Sequence, residues 1–274
     1  MSLLEEFRKR RPTSRIFHYT SQAGLVGIVK SKCIWATSIH HLNDATEFDY
    51  ARGLLKRVIG EKSQDGVGTR LVRELNKLIV GSARINLFVT SFSEKPDLLS
   101  QWRAYCPNGN GYSIGFKYAQ LADQMSRQKF FLAPCIYDPV EQEKLIRELV
   151  DQAFTRARAV ASPKITEIAN ECLDKFFIVG PTLKHPSFAE EVEWRLISEY
   201  PKFVGEPQIA VREGKSILLP YFQFRLAEEN AHLPKPRIVV GPNPHMELAI
   251  LSVQFLMGTF QADVRPTTIP YRAW

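Results

Sequence analysis

The chain has 274 residues, 45% of them hydrophobic and 24% charged, and carries a formal net charge of +7. That length and balance suit a globular protein that buries its core without staples, and exclude a disordered or collagen-like chain and a disulfide scaffold. No stretch is long and apolar enough to span a bilayer, and Met1 to Arg11 lacks the apolar run of a signal peptide, so a cytoplasmic location and no membrane partner are expected.

In chain order, residues 3–11 are expected as a short helix ended by Pro12. Arg15 to Thr20 reads as a strand, with Ile16, His18 and Thr20 alternating against Phe17 and Tyr19. Ser21 is placed to cap a helix over residues 22–31 that turns Leu25, Ile28 and Val29 inward. Cys33 to Thr37 reads as a short strand. Asp44, with Glu47 three residues on, has the form of a capping box for a helix carrying Phe48, Ala51, Leu55 and Val58 on one stripe. A polar loop over residues 64–68 precedes a helix aligned on Leu71, Leu75, Leu78 and Ile79. Asn86 to Ser93 is a strand, Glu94 to Asp97 a turn with Asp97 as a helix cap, and Leu98 to Tyr105 a short helix stopped by Pro107. Asn108 to Gly111 is a tight connection into the strand Tyr112 to Phe116, and Phe130 to Tyr137 is a further strand. Residues 139–178 are the clearest helical region, two helices read as an insertion between strands of one sheet. Strands at Glu193 to Ser198, Ser216 to Phe224, Arg237 to Val240 and Val264 to Ile269, with a helix over 245–258, complete an α+β fold in a single domain over residues 1–274.

The cysteines, Cys33, Cys106, Cys135 and Cys172, have neither metal-ligand nor redox-motif spacing and read as free thiols of a reducing compartment. No metal is expected, since nothing completes a ligand set around His40 and His41. The basic balance permits a nucleic acid or an anionic small ligand, without an aromatic-basic RNA-binding signature to support the first. Three polar marks fall on strands or their edges: His18-Tyr19-Thr20, Ser91-Phe92-Ser93 and Glu191-Val192-Glu193. Polar groups in apolar strands are costly to bury without partners, so three of them suggest one cleft. In an extended chain Glu191, Glu193 and Arg195 share a face opposite Val192, Trp194 and Leu196. That charged face is either a working site or an ordinary solvated one.

These marks belong to a longer ordered set: His18-Tyr19-Thr20, Trp35-Ala36-Thr37, Leu42-Asn43-Asp44 with Glu47, Ser91-Phe92-Ser93, Trp102 with Tyr105, Gly111 with Gly115-Phe116, Lys184-His185, Phe188 with Glu191, Glu193-Trp194-Arg195, and Ile269-Pro270-Tyr271-Arg272. The set resembles the bacterial domain of unknown function 2971 over residues 16–272. A histidine on the first strand, a Ser-x-Ser strand and a Glu-x-Glu before a late strand, in that order, are similar to the ADP-ribosyltransferase superfamily. That resemblance implies a split, mostly antiparallel sheet of ADP-ribosyltransferase-like type with the helical insertion added, holding NAD in its cleft. By the same resemblance His18, with Tyr19 and Thr20, would meet the adenosine-side ribose or adjoining amide. Ser91, with Ser93, would meet the nicotinamide-side ribose or support Glu193. Glu193 would be the catalytic carboxylate, Glu191 would position the acceptor, and Tyr105 would stack on nicotinamide. Lys184 or Arg195 would hold the pyrophosphate, or Arg195 would lock a glutamate. A carboxylate on the ribose 2-OH gains strength as positive charge develops on the sugar.

The implied function is transfer of ADP-ribose from NAD to a nucleic acid or protein acceptor, in bacterial conflict, as a toxin with a neutralising partner, or in phage defence. NAD hydrolysis and a non-catalytic sensor of nucleotide or RNA are the alternatives.

Overall fold

The computed structural model describes residues 2–42, 46–62, 66–82, 85–106, 111–159, 164–199, 205–228, 230–231, 233–258 and 262–271. Asn43, Asp44, Pro107, the 108–110 connection and Arg272, all used above, lie outside the described residues. The fold is α+β, built on one mostly antiparallel, mixed sheet.

Strands β1 (Arg15–Ser21), β2 (Cys33–Ser38), β3 (Phe88–Ser93), β4 (Gly111–Lys117), β5 (Phe130–Pro134), β6 (Glu193–Ser198), β7 (Ile209–Glu213), β8 (Leu218–Arg225), β9 (Arg237–Val240) and β10 (Asp263–Pro266) form that sheet. The main path runs β10-β9-β4-β1-β3-β2-β8-β7, and β6 and β5 continue from β3. Only β10 and β9 pair in parallel among these strands. Strand β3 pairs β6 along its length, from Val89 opposite Ile197 to Ser93 opposite Glu193. A strand has two edges, so the other edge of β3 is shared: Ser93 pairs Phe17 of β1, while Val89 and Phe88 pair Thr37 and Ser38 of β2. The sheet therefore branches at β3.

Cross-strand partners in an antiparallel pair share a face, and successive residues alternate. One face carries Ile16, Ile34, Ala36, Phe92, Ile114, Trp194, Leu196, Phe222 and Phe224, buried under α2 (Gln22–Ser31), α6 (Tyr118–Gln128) and α9 (Met246–Met257). The opposite face carries Val89, Ala133 and Ile197, buried under α1 (Leu3–Lys9), α3 (Thr46–Gly60), α4 (Gly66–Gly81), α7 (Pro139–Arg158) and α8 (Ile165–Val179). A small third core on that second face places Trp102 of α5 (Leu99–Tyr105) against Phe17, Tyr19 and Val239. Helices α7 and α8 fill the segment between the paired strands β5 and β6, and pack with α3 and α4.

Local signals explain most of the elements. Ser2 and Glu5 form a reciprocal capping box on α1. The Ser21 hydroxyl accepts the Gly24 N–H at 3.2 Å, and Asp138 caps α7 ahead of Pro139. Several expectations need correction. Helix α4 starts at Gly66, inside the expected 64–68 loop. Asp97 caps no helix: its carboxylate accepts Trp102 Nε1 at 2.7 Å, Thr267 Oγ1 at 2.5 Å and the Thr268 N–H at 2.6 Å. Helix α6 went unread because its buried stripe is only Leu121, Gln124 and Met125. Strand β7 went unread because it is an edge strand with no buried residue and little alternation. The four cysteines are free and buried. Among the described residues no helix is long and apolar enough to cross a membrane.

Candidate functional site

Glu191 and Glu193 are not two residues of one strand. Residues Pro186–Glu191 form a short 3-10 helix, and β6 starts at Glu193. Val192 between them has φ 43°, a left-handed conformation that a β-branched residue adopts only under strain. That reversal sends both carboxylates to one ammonium: Lys184 Nζ lies 2.5 Å from Glu191 Oε2 and 2.6 Å from Glu193 Oε2. Arg195 binds Glu193 from the other side, its Nε donating to Oε1 at 2.9 Å. Its Nη2 donates to Glu47 Oε2 of α3 at 2.5 Å, and its Nη1 to the Pro181 carbonyl at 2.6 Å. Three carboxylates and two cations thus form one cluster where the helical layer meets β6.

The expected solvated face is instead interior. Glu193 is 5% exposed, Arg195 4%, Lys184 7% and Glu47 8%. Buried charges require such pairing, because each loses its water. The surroundings hold the geometry. Tyr137 Oη accepts the Glu193 N–H at 2.9 Å, and Gln142 Nε2 donates to the Lys184 carbonyl at 2.8 Å. Ser93 Oγ donates to the Glu191 carbonyl at 2.6 Å.

The two carboxyls are displaced in opposite directions. Burial raises Glu193, but Arg195 and Lys184 override it and hold its pKa down at about 2. Burial raises Glu191, and the single ion pair to Lys184 does not reverse the shift. For Lys184, burial lowers the pKa while Glu193 and Glu191 raise it further, so it stays charged. Tyr105 stands beside the cluster: burial raises its hydroxyl pKa, and Glu193 and Glu191 raise it more. Tyr105 is 39% exposed and Phe188, whose ring lies 4.9 Å from Lys184 Nζ, is 36% exposed. These two aromatics form the solvent side of the site.

Of the residues singled out from the sequence, Lys184, Glu191, Glu193, Arg195, Tyr105 and Ser93 come together. Ser91 sits opposite Arg195 on the same sheet face. His18 goes elsewhere. Phe17 shares a face with Ser93, so His18 points to the other face, across from Ile114 and with its ring 5.7 Å from that of Phe92. Its Nδ1 lies 3.0 Å from the Ser91 carbonyl, which can only accept, so Nδ1 carries the proton. Burial lowers the His18 pKa despite that bond, so the ring is neutral. It bridges β1 to β3 where the strands part. Thr20 shares its alternation, and Tyr19 packs edge-on against Trp102 with its hydroxyl donating to the Lys95 carbonyl at 2.8 Å. In the sequence Glu47 has the form of the third-position partner in a capping box. Its pairing with Arg195 joins residues 148 positions apart, a contact no local pattern encodes.

Fold and site together define an α+β protein with a buried carboxylate–cation cluster at the foot of a branched sheet. Residues 101–196 match a family described as Protein of unknown function (DUF2971). Over that segment, which runs from α5 into β6 and contains Tyr105, Lys184, Glu191, Glu193 and Arg195, the chain is similar to that family. The wider resemblance drawn over residues 16–272 is thus supported in this part. No curated protein and no solved structure matches the chain.

Proposed function

We propose that the cluster is the active site of an ADP-ribosyltransferase-like enzyme that uses NAD and passes ADP-ribose to a nucleic acid or protein acceptor. The observation that carries this reading is the convergence of Glu191 and Glu193 on Lys184 across the strained Val192, with their pKa values pushed apart. Two carboxyls separated in this way supply the two roles that glycosidic chemistry needs. Glu193, ionised, faces the sugar and stabilises positive charge developing at its anomeric carbon. Glu191, closer to solvent and easier to protonate, takes the proton of the acceptor. The bond from the ribose C1′ to the pyridinium nitrogen breaks, and its electron pair leaves with nicotinamide. The acceptor oxygen or nitrogen bonds to C1′, and its proton goes to Glu191. Arg195 locks Glu193, and Tyr105 covers the nicotinamide side. The branching of the sheet at β3 agrees with the split-sheet form of that superfamily. His18 then acts from the far face, through the Ser91 carbonyl, as a positioning residue for β3.

A second reading is favoured by the saturation of Glu193, whose oxygens already meet Arg195 and Lys184 at 5% exposure. In that reading the cluster is structural and the chain is a nucleotide-binding module. Nicotinamide release from NAD by wild type, Glu193→Gln and Glu191→Gln, with and without cellular RNA and protein, separates the two. Release by wild type that both variants lose supports the enzyme, and release that requires an acceptor selects transfer over hydrolysis. No release by the folded wild type under any of these conditions overturns the enzyme.

A further inference from the structure

The face that carries Glu193 and Arg195 continues across four more strands. Ser91 faces Arg195, Val89 faces Thr37, Thr37 faces Tyr221, and Trp35 faces Gln223. Leu219 faces Arg212 on β7. Period-two alternation then puts Trp35, Tyr221 and Arg212 on the same face as Glu193 and Arg195. The helical layer covers this face at Val89 and Ile197, and α5 covers it at Phe17 and Tyr19, but Trp35 on β2 is left 46% exposed. Trp35 and Tyr221 have ring centroids 4.4 Å apart, and the Arg212 guanidinium carbon lies 5.7 Å from the Trp35 centroid. Arg212 Nε is buried without a hydrogen-bond partner, and Nη2 reaches Thr37 Oγ1 only at 3.5 Å. No carboxylate pairs with Arg212 among the described ion pairs.

A half-exposed indole packed against a second ring, with a guanidinium over it, offers the aromatic surface and the positive charge that a planar base carrying a phosphate meets. Trp35 on β2 and Arg195 on β6 thus share one sheet face, on two strands that both pair with β3. We infer that Trp35, Tyr221 and Arg212 form a binding site for the base and phosphate of an adenine nucleotide, on the same sheet face as the Glu191–Glu193 cluster. As the base-holding end of the NAD site this rests on the proposed function, but the site itself is defined by these three side chains and stands or falls separately.

The probe is AMP, titrated calorimetrically into the full chain as wild type, Trp35→Ala, Trp35→Phe and Arg212→Ala, each first shown to melt cooperatively. Trp35→Ala is expected to weaken AMP about 10- to 100-fold, the range that base–aromatic stacking supports. Trp35→Phe should keep most of the affinity, and Arg212→Ala should weaken AMP more than adenosine. Equal AMP affinity in wild type and Trp35→Ala, or no AMP binding by the wild type, overturns the site. Much tighter, steeply salt-dependent binding of oligoadenylate overturns the mononucleotide assignment in favour of a strand. If nicotinamide release is absent while AMP still depends on Trp35, the NAD chemistry falls and the base site stands. If release persists in Trp35→Ala with an unchanged KM for NAD, the base site falls and the chemistry stands.

Discussion

At the scale of single residues, the cluster sets opposing pH dependences. The folded pKa of Glu193 is about 2 against an ordinary 4.5, so its stabilising contribution is fully present above pH 4.5 and is lost as pH falls through 2. That difference corresponds to about 3 kcal/mol, and urea denaturation of wild type and Glu193→Gln across this window measures it. Glu191 runs the other way: its raised pKa means that ionisation costs stability as pH rises past the ordinary carboxyl range. If Glu191 accepts the acceptor's proton, nicotinamide release rises with pH through this displaced pKa, and Glu191→Gln flattens the profile. Lys184→Ala leaves three carboxylates around one guanidinium and should destabilise by about 3–5 kcal/mol. Val192 gives the sharpest test. Val192→Gly removes left-handed strain and should stabilise by about 1 kcal/mol while lowering release, because the two glutamates lose their fixed separation. A variant both more stable and fully active would show that the strain serves no purpose.

At the scale of elements, one carboxylate keeps α5 and the chain's last described segment in place. Asp97 gathers Trp102 of α5, Thr267 and Thr268 onto one carboxylate, and these bonds pull its pKa below the ordinary value although burial alone would raise it. Asp97→Ala leaves the Trp102 N–H without its partner and should cost about 2–3 kcal/mol. It should also open residues 267–271 to proteolysis, and Tyr105, on the same helix as Trp102, should lose its register with Glu193. The packing of β1 on β4 is close enough to exclude a methyl group. A Cβ on Gly115 would stand 2.3 Å from the Phe17 ring, so Gly115→Ala should destabilise by about 1–3 kcal/mol in thermal melts.

At the scale of the whole molecule, the branched sheet divides labour between its faces. One face is sealed by α2, α6 and α9 over an aromatic and aliphatic core, and holds neutral His18 inside. The other is buried under helices at Val89, Ile197, Phe17 and Tyr19, and leaves Trp35 46% exposed beside buried Thr37 and Tyr221. A net charge of +7 favours association with anions. If the acceptor is nucleic acid, its modification should weaken steeply between low and physiological salt, whereas modification of a neutral protein acceptor should not.

The sequence by itself determined the α+β class and most helices and strands, because capping residues and apolar periodicity are local signals that the chain carries wherever it folds. It could not place Glu47 against Arg195, turn Glu193 and Arg195 inward, or send His18 to the far face. Those outcomes depend on strand register and on which layer covers each face, and they join residues up to 148 positions apart. The strained Val192 was equally invisible, since a valine between two glutamates reads as ordinary strand until the tertiary packing of Lys184 bends it. Nor did the pattern Trp35-Ala36-Thr37 show that Trp35 stays 46% exposed while Ala36 and Thr37 are buried, since that depends on what packs against each position of β2.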